Sequence, residues 1–376
     1  PMLARPPYRP ARVIRPDIAP GRRVLAISDI HGNLPFLRGV LAKAGFSKAD
    51  VLVLIGDLLE KGEDSLGVLR YVMELSRSHT VYALCGNCDN LDVAFLSGRP
   101  GVDGRLWPVF RCWEDRSLVF QMGAELGLHP KSPEELPALR QALLERFPAE
   151  CAFLNGMPHI LEAGRYLFVH GGVPREDRLE ELDAYSCMKN DDFLGQGLRF
   201  RRWVVVGHWP VTLYHPDIPT ASPLIERERH IVSIDGGCVL KLDGQLNALI
   251  IPDINGDEMT YTAYDGLPVV RALDAQQASR DAVNIRWSDS AVEVLRREGD
   301  CAWCRHISSG REMWILNEYL YEGRDGVTHT EDTTDYLLPV AAGERLALVR
   351  RCSRGCIAKR RGETGWYRGR IEPAEH

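Results

Sequence analysis

The chain has 376 residues, 45% apolar and 26% charged, which is an ordinary globular composition with room for two or three domains. A net charge of −6 argues against a broad electrostatic grip on nucleic acid or acidic lipid. No apolar run is long enough to span a membrane, so neither a membrane nor a nucleic acid is expected as a partner.

Residues 1–22 are rich in Pro and Arg and lack the apolar core of a secretion signal. They are expected to form an extended arm. The ten cysteines are spread through a large chain and not packed into a small scaffold, so reduced thiols in a cytoplasmic protein are expected.

From residue 23 to about 90, strand and helix patterns alternate. Val24-Leu25-Ala26-Ile27-Ser28 reads as a short buried strand and ends in Asp29-Ile30-His31-Gly32-Asn33. Val51 to Ile55 is a second such run, ending in Gly56-Asp57, and Val81 to Leu84 a third, ending in Cys85-Gly86-Asn87-Cys88-Asp89. Leu34 to Ala44 and Ser65 to Ser76 carry helical spacing between them, which makes a βαβαβ pattern and implies a parallel sheet. Residues 91–160 break the alternation with helical runs at Asp115 to Leu126 and Ser132 to Phe147. This insertion can form a cap over the site or pack on the sheet flank.

Tyr166 to Val169 is a fourth strand run, ending in His170-Gly171-Gly172, and Trp203 to Val206 a fifth, ending in Gly207-His208. Residues 230–251 read as a hairpin turning at Leu242-Asp243-Gly244. The first domain is expected to close near residue 258, leaving 259–376 as a β-rich tail. That tail carries a repeat. Val292 to Arg297, Cys301 to Arg305 and Met313-Trp314-Ile315 match Leu346 to Arg351, Cys356 to Arg360 and Gly365-Trp366-Tyr367. It resembles a pair of small barrels of the Src-homology-3 type, with a peptide or protein as a possible ligand. Cys301-x-x-Cys304 and Cys352-x-x-x-Cys356 invite a zinc reading, but the repeat puts Cys301, Cys304 and Cys356 within strands, where a thiol is usually a small buried hydrophobe.

Five times, then, a side chain able to bind metal follows a hydrophobic strand and adjoins a glycine. Carboxylate, imidazole and amide donors at the carboxyl ends of strands suit a borderline cation such as Mn, Fe or Zn. The set Asp29-x-His31, Gly56-Asp57, Gly86-Asn87, His170-Gly171-Gly172 and Gly207-His208 resembles the calcineurin-like metallophosphoesterases, and within them the phosphoprotein phosphatase branch. Asp57 follows Asp29 by 28 residues and Asn87 follows Asp57 by 30. Gly56-Asp57-Leu58-Leu59-Glu60-Lys61-Gly62 stands where the branch has Gly-Asp-x-x-Asp-Arg-Gly, and Ser233-Ile234-Asp235-Gly236-Gly237-Cys238 resembles the strand closing its core.

The resemblance covers about 23–252 and implies a four-layer α/β/β/α sandwich holding two divalent ions, manganese foremost. Asp29 and His31 would hold one ion, Asn87, His170 and His208 the other, and Asp57 both. It implies direct attack of a bridging hydroxide on phosphorus, with Asn87 and Lys61 gripping the phosphate. Three departures stand out. Cys88 replaces the usual acid His and is followed by Asp89 in place of Glu. Glu60 replaces the Asp that partners that His. Lys61 replaces an Arg and loses its bidentate fork; whether Arg199, Arg201 or Arg202 supplies a second grip stays open.

The expected function is a phosphomonoesterase acting on protein-borne phosphate (Ser/Thr or Tyr) or on small phosphoesters. The alternative, favoured by Cys88, is a nucleotide phosphodiesterase or dinucleoside polyphosphate hydrolase, because a neutral thiol is a poor general acid. A non-catalytic scaffold is disfavoured by the complete donor set.

Overall fold

The computed structural model describes residues 5–374, so the first four residues of the expected arm and the last two of the tail lie outside the described residues. The chain divides into two compact units. The first comprises the described residues up to Trp209, Pro223–Val239 and Leu246–Tyr264; the second comprises Pro210–Ser222, Leu240–Gln245 and the chain from Asp265 onward.

In the first unit the elements run β1 (Val13–Ile14), β2 (Val24–Ile27), α1 (Leu34–Lys43), β3 (Val51–Ile55), α2 (Ser65–Ser78), β4 (Thr80–Leu84) and α3 (Asn87–Ser97). Then follow α4 (Val102–Trp113), α5 (Leu118–Glu125), α6 (Leu136–Arg146), α7 (Pro148–Gly156), β5 (Ile160–Ala163), β6 (Tyr166–Val169) and α8 (Ala184–Met188). The last are β7 (Trp203–Val206), β8 (Leu224–Glu226), β9 (Ile231–Ser233), β10 (Leu246–Ile251) and β11 (Thr260–Tyr264).

Two sheets result: a five-stranded one in the order β11-β10-β2-β3-β4 and a six-stranded one in the order β1-β5-β6-β7-β9-β8. The central strands carry apolar residues at every position because both of their faces are buried. Val24, Ala26, Val51, Val53 and Ile55 point to one side and pack with Tyr166, Phe168, Trp203, Val205 and Val232 of the other sheet. Leu25, Ile27, Leu52 and Leu54 point to the opposite side and pack with Leu37 and Val40 of α1 and Leu69 of α2. Leu106, Phe110, Met122, Leu139 and Leu154 of α4 to α7 join that second cluster, so these helices extend the flank of the five-stranded sheet.

The arm is extended where it is described. Ala184 N–H donates to Arg9 O and Ala11 N–H to Leu182 O, both at 2.8 Å, and β1 pairs in parallel with β5. The stretch 230–251 is not the expected hairpin. β9 lies parallel to β7 in the six-stranded sheet, whereas β10 lies antiparallel to β2 in the five-stranded one. Each half of the stretch is apolar enough to be buried on both faces, and left-handed Gly237 and Val239 redirect the chain between them. Among the described residues no helix is long and apolar enough to cross a membrane.

The second unit has strands and 3-10 turns but, among the described residues, no α-helix. Its strands are β12 (Val269–Ala272), β13 (Asn284–Ile285), β14 (Val292–Glu298), β15 (Cys301–His306), β16 (Glu312–Leu316), β17 (Leu320–Glu322) and β18 (Thr328–Thr330). They continue with β19 (Thr333–Thr334), β20 (Arg345–Cys352), β21 (Gly355–Arg360), β22 (Glu363–Tyr367) and β23 (Ile371–Pro373). The repeat read in the sequence appears as two antiparallel meanders, β14-β15-β16 and β20-β21-β22. Both carry an irregularity at the same repeat position, between Val294 and Arg296 and between Leu348 and Arg350.

Candidate metal centre

Parallel register puts the carboxyl ends of β2, β3 and β4 side by side, and likewise those of β6, β7 and β9. The loops that leave these ends hold one another. Asp29 N–H donates to Gly56 O at 3.0 Å, His31 N–H to Asp57 O at 2.9 Å and Gly207 N–H to His170 O at 2.9 Å. Backbone strain collects here: Asp29 (φ 56°), His31 (φ 49°), Asp57 (φ 51°), Glu60 and Lys61 (both φ 74°) and His208 (φ 67°) are all left-handed. Non-glycine residues persist in that region only where their surroundings over-determine them, as at functional sites. Gly86 is required by packing, since a Cβ there would fall on the Asp57 carboxylate.

The six expected ligands converge. His31 Nε2 lies 3.6 Å from Asp29 Oδ2 and 3.9 Å from Asp57 Oδ2, and His170 Nε2 lies 3.3 Å from Asp57 Oδ2. His170 Nε2 is also 3.0 Å from Asn87 Oδ1, while its Nδ1 sits 2.8 Å from Ile55 O, a carbonyl that can only accept. Nδ1 therefore donates to Ile55 O, which leaves Nε2 as the nitrogen that faces Asn87 and Asp57 and that a metal would take in exchange for its proton. The His170 and His208 rings are 5.2 Å apart edge to face. His208 N–H donates to Asp29 Oδ1 at 3.0 Å, and its Nε2 lies 2.6 Å from Asp191 Oδ1. Ligand atoms of Asp57, His170 and His208 lie within 4.8 Å of one another, as do those of His31, Asp57 and Cys88.

Burial makes this an electrostatic problem. Asp29, Asp57, His31 and His170 are at most 2% exposed, and so is Asp235, which sits beside Asp29. Burial pushes every carboxyl here upward; for Asp57 and Asp29 the attraction of His170 and His31 wins and holds both below the usual carboxylate range. Burial lowers His170, but Asp57 and Asp29 outweigh it and lift the imidazole to about 10. Asp235 goes well above its ordinary value through burial and then Asp29. His31 Nδ1 and Asp235 Oδ2 are buried without a partner. Carboxylate oxygens in excess, three imidazoles and an amide are the donor set of borderline divalent cations, so the residues present fit two such ions.

The other expected residues are placed as follows. Cys88 is buried at the first turn of α3, with its N–H donating to Asp57 Oδ1 at 2.9 Å. Burial, and then Asp57, push its thiol well above the ordinary range. Lys61 lies beside Cys88 and above its ordinary value in spite of burial; with that thiol neutral, Asp57, Asp29 and Asp235 are the charges that keep the ammonium protonated. Asp89 accepts the N–H of Gly86 at 2.8 Å and of Leu59 at 3.1 Å, which ties two ligand loops together. Glu60 does not pair with Cys88. The left-handed backbone at Glu60 and Lys61 turns the Glu60 carboxyl away, to Asp92 and to the Leu118 N–H at 2.9 Å. Arg199 and Arg202 bond Glu228, Glu162 and Glu176 near the entry end of β7, opposite the end that carries His208.

Two neighbours of the ligands were not singled out from the sequence. Asp235 obeys the same rule as the others, an acid directly after a buried strand, and could have been found by it. Asp191 lies in a loop after α8 and left no pattern to read.

The Glu60–Asp92 pair yields a pH-dependent expectation. Burial, offset only in part by Asp92 and the Leu118 N–H, raises Glu60 from 4.5 to about 7. Its stabilising contribution is therefore complete below pH ~4.5 and is lost as the pH rises through ~7, because the unfolded chain ionises first. Glu60→Gln should flatten the urea midpoint between pH 5 and 8 and leave the variant more stable than the parent at pH 8, by on the order of 1–3 kcal/mol. Parallel midpoint curves for the two proteins would contradict this.

The sequence profile of the calcineurin-like phosphoesterases matches residues 22–234, more than half of the chain. Among relatives, the chain is 23% identical over 229 residues to the asymmetrical bis(5'-nucleosyl)-tetraphosphatase PrpE of Oceanobacillus iheyensis, a match covering 57% of this chain and 83% of that protein. It is 39% identical over 98 residues to the symmetrical bis(5'-nucleosyl)-tetraphosphatase of Edwardsiella ictaluri, covering 25% of this chain and 34% of that protein. Among solved structures, a protein serine/threonine phosphatase from Saccharomyces cerevisiae aligns with a TM-score of 0.41 at 11% identity, covering 69% of this chain and 84% of that one.

Proposed function

The chain belongs to the calcineurin-like phosphoesterases and is a metal-dependent hydrolase of phosphoesters, and on that premise we propose that its substrates are phosphoanhydrides of nucleotides, dinucleoside polyphosphates foremost. Asp29 and His31 would hold one divalent ion and Asn87, His170 and His208 a second, with Asp57 offering an oxygen to each. When bound, such ions acidify water and offset charge on phosphoryl oxygens. The remaining chemistry is the chain's own. The Lys61 ammonium and the Asn87 amide orient the phosphate, and Asp191 holds the His208 ring through Nε2 at 2.6 Å.

Cys88 carries the choice of substrate. It stands beside Asp57 where an acid would protonate the leaving oxygen, and Glu60, the expected partner of that acid, is turned to Asp92. A neutral thiol cannot deliver a proton as imidazolium does, and a positioned acid is worth about 10²–10⁴-fold. An alkoxide leaving from phosphoserine needs that proton. A nucleoside phosphate does not, because its own second pKa is about 6. That the Oceanobacillus and Edwardsiella relatives are bis(5'-nucleosyl)-tetraphosphatases supports the same reading over a phosphoprotein substrate.

The experiment is a side-by-side assay with manganese of diadenosine tetraphosphate, an aryl phosphate, a cyclic nucleotide and a phosphoserine peptide. We expect the tetraphosphate to exceed the phosphopeptide in kcat/KM by at least about 10²-fold. A phosphopeptide hydrolysed as fast as the tetraphosphate would overturn the assignment.

A further inference from the structure

The second unit carries a cluster of donors that the phosphoesterase chemistry does not use. Asp300 lies in the turn between β14 and β15, Cys301 opens β15 and Cys352 closes β20, so the three come from neighbouring ends of the two repeated meanders. One oxygen of Asp300 and the sulfurs of Cys301 and Cys352 all lie within 4.8 Å of one another. Neither cysteine pairs within its own sequence motif: Cys304 Sγ is directed to Ala302 O at 3.7 Å, and the cluster takes one cysteine from each motif.

The geometry is that of ligands waiting around one small ion. Asp300 Oδ1 and Cys301 Sγ are 3.4 Å apart. Two ligands on a tetrahedral zinc, with Zn–O about 2.0 Å and Zn–S about 2.3 Å, stand roughly 3.5 Å apart. The carboxylate is already fixed in place, because Asp300 Oδ2 accepts the Ser353 N–H at 2.9 Å and Oδ1 accepts the Ser353 hydroxyl. Cys301 is fully buried, Cys352 half-buried and Asp300 exposed, which leaves a fourth position open to solvent. Two thiolates and one carboxylate select a thiophilic d¹⁰ cation over magnesium or calcium.

We propose that Asp300, Cys301 and Cys352 form a three-ligand zinc site that ties the β14–β15 turn to the β20–β21 turn. Binding releases the two thiol protons to solvent and forms two metal–sulfur bonds. The site does not depend on the phosphoesterase reading.

The test uses the full chain carrying Cys88→Ser, which removes the thiol beside His31 and Asp57, and takes Cd²⁺ as the probe. Thiolate-to-cadmium charge-transfer absorption should rise to saturation, and Cys301→Ser or Cys352→Ser should each abolish that band. Asp300→Asn should weaken the apparent affinity at least about tenfold, while Cys304→Ser and Cys356→Ser keep the full band. As a check that needs no change in the cluster, Zn²⁺ should protect Cys352 from iodoacetamide, read by peptide mass spectrometry. A band that survives Cys352→Ser, unchanged alkylation of Cys352 with Zn²⁺, or no band at all with ready diamide oxidation of Cys301 to Cys352, would each overturn the proposal.

Discussion

Asp57→Asn is expected to lower kcat/KM for diadenosine tetraphosphate by about 10³-fold or more without unfolding the protein. Asp57 is the residue on which both halves of the site converge. Its Oδ2 lies 3.9 Å from His31 Nε2 and 3.3 Å from His170 Nε2, and its Oδ1 accepts the Cys88 N–H at 2.9 Å. An Asn keeps the shape and can keep the bond to Cys88, but it cannot offer a charged oxygen to each of two cations. Without added metal the variant should fold but melt lower than the parent, since it removes a partner of the buried His170 imidazolium. The rise in melting temperature produced by manganese should shrink or vanish. A variant that keeps the parent's rate, or the parent's response to manganese, would remove Asp57 from the centre of the account.

The second large effect is a gain. Cys88→His should raise kcat/KM on a phosphoserine peptide or other alkyl phosphate by at least about tenfold, part of the 10²–10⁴ that a positioned acid contributes. Two features of the structure keep the expectation below the upper end. Cys88 is 2% exposed, so the larger ring must displace neighbours, at about 1–3 kcal/mol of stability. Glu60 is turned to Asp92 and the Leu118 N–H, so the new imidazole would lack the carboxylate that usually supports it. Rates on the tetraphosphate should change only a few-fold, because its leaving group needs no proton. Unchanged alkyl-ester rates in a folded variant would show that Cys88 does not set the leaving-group preference.

These two positions also show which parts of the molecule were legible in the sequence. Four of the strands that carry ligands are buried on both faces, so Val24 to Ile27, Val51 to Ile55, Tyr166 to Val169 and Trp203 to Val206 stand out as uninterrupted apolar runs. The polar residues that end these runs are at the sheet's carboxyl end by necessity, which brings Asp29, Asp57, His170 and His208 together, whereas the choice of Asn87 over Cys85, Cys88 or Asp89 rests on the family resemblance. Pairing between sheets left no such trace. The stretch 230–251 looks like a hairpin because adjacent strands usually pair, yet β9 and β10 belong to facing sheets and only the left-handed Gly237 and Val239 mark the crossing.

Side-chain direction in the strained loop was equally hidden. Spacing puts Glu60 and Lys61 next to the site, but two consecutive left-handed residues send their side chains different ways, Glu60 to Asp92 and Lys61 toward Cys88 and Asp57. Asp191 reaches His208 from a loop whose sequence has no periodicity to read. The tail's repeat was visible because matching strands keep matching apolar positions. The meeting of Cys301 with Cys352 was not, because it joins the two repeats and follows neither cysteine motif.

Anomalous scattering from crystals grown with manganese would test the central arrangement most directly. Two peaks should flank the Asp57 carboxylate, one against Asp29 and His31 and the other against Asn87, His170 and His208. A single peak, or manganese bound elsewhere with these six side chains left bare, would contradict it.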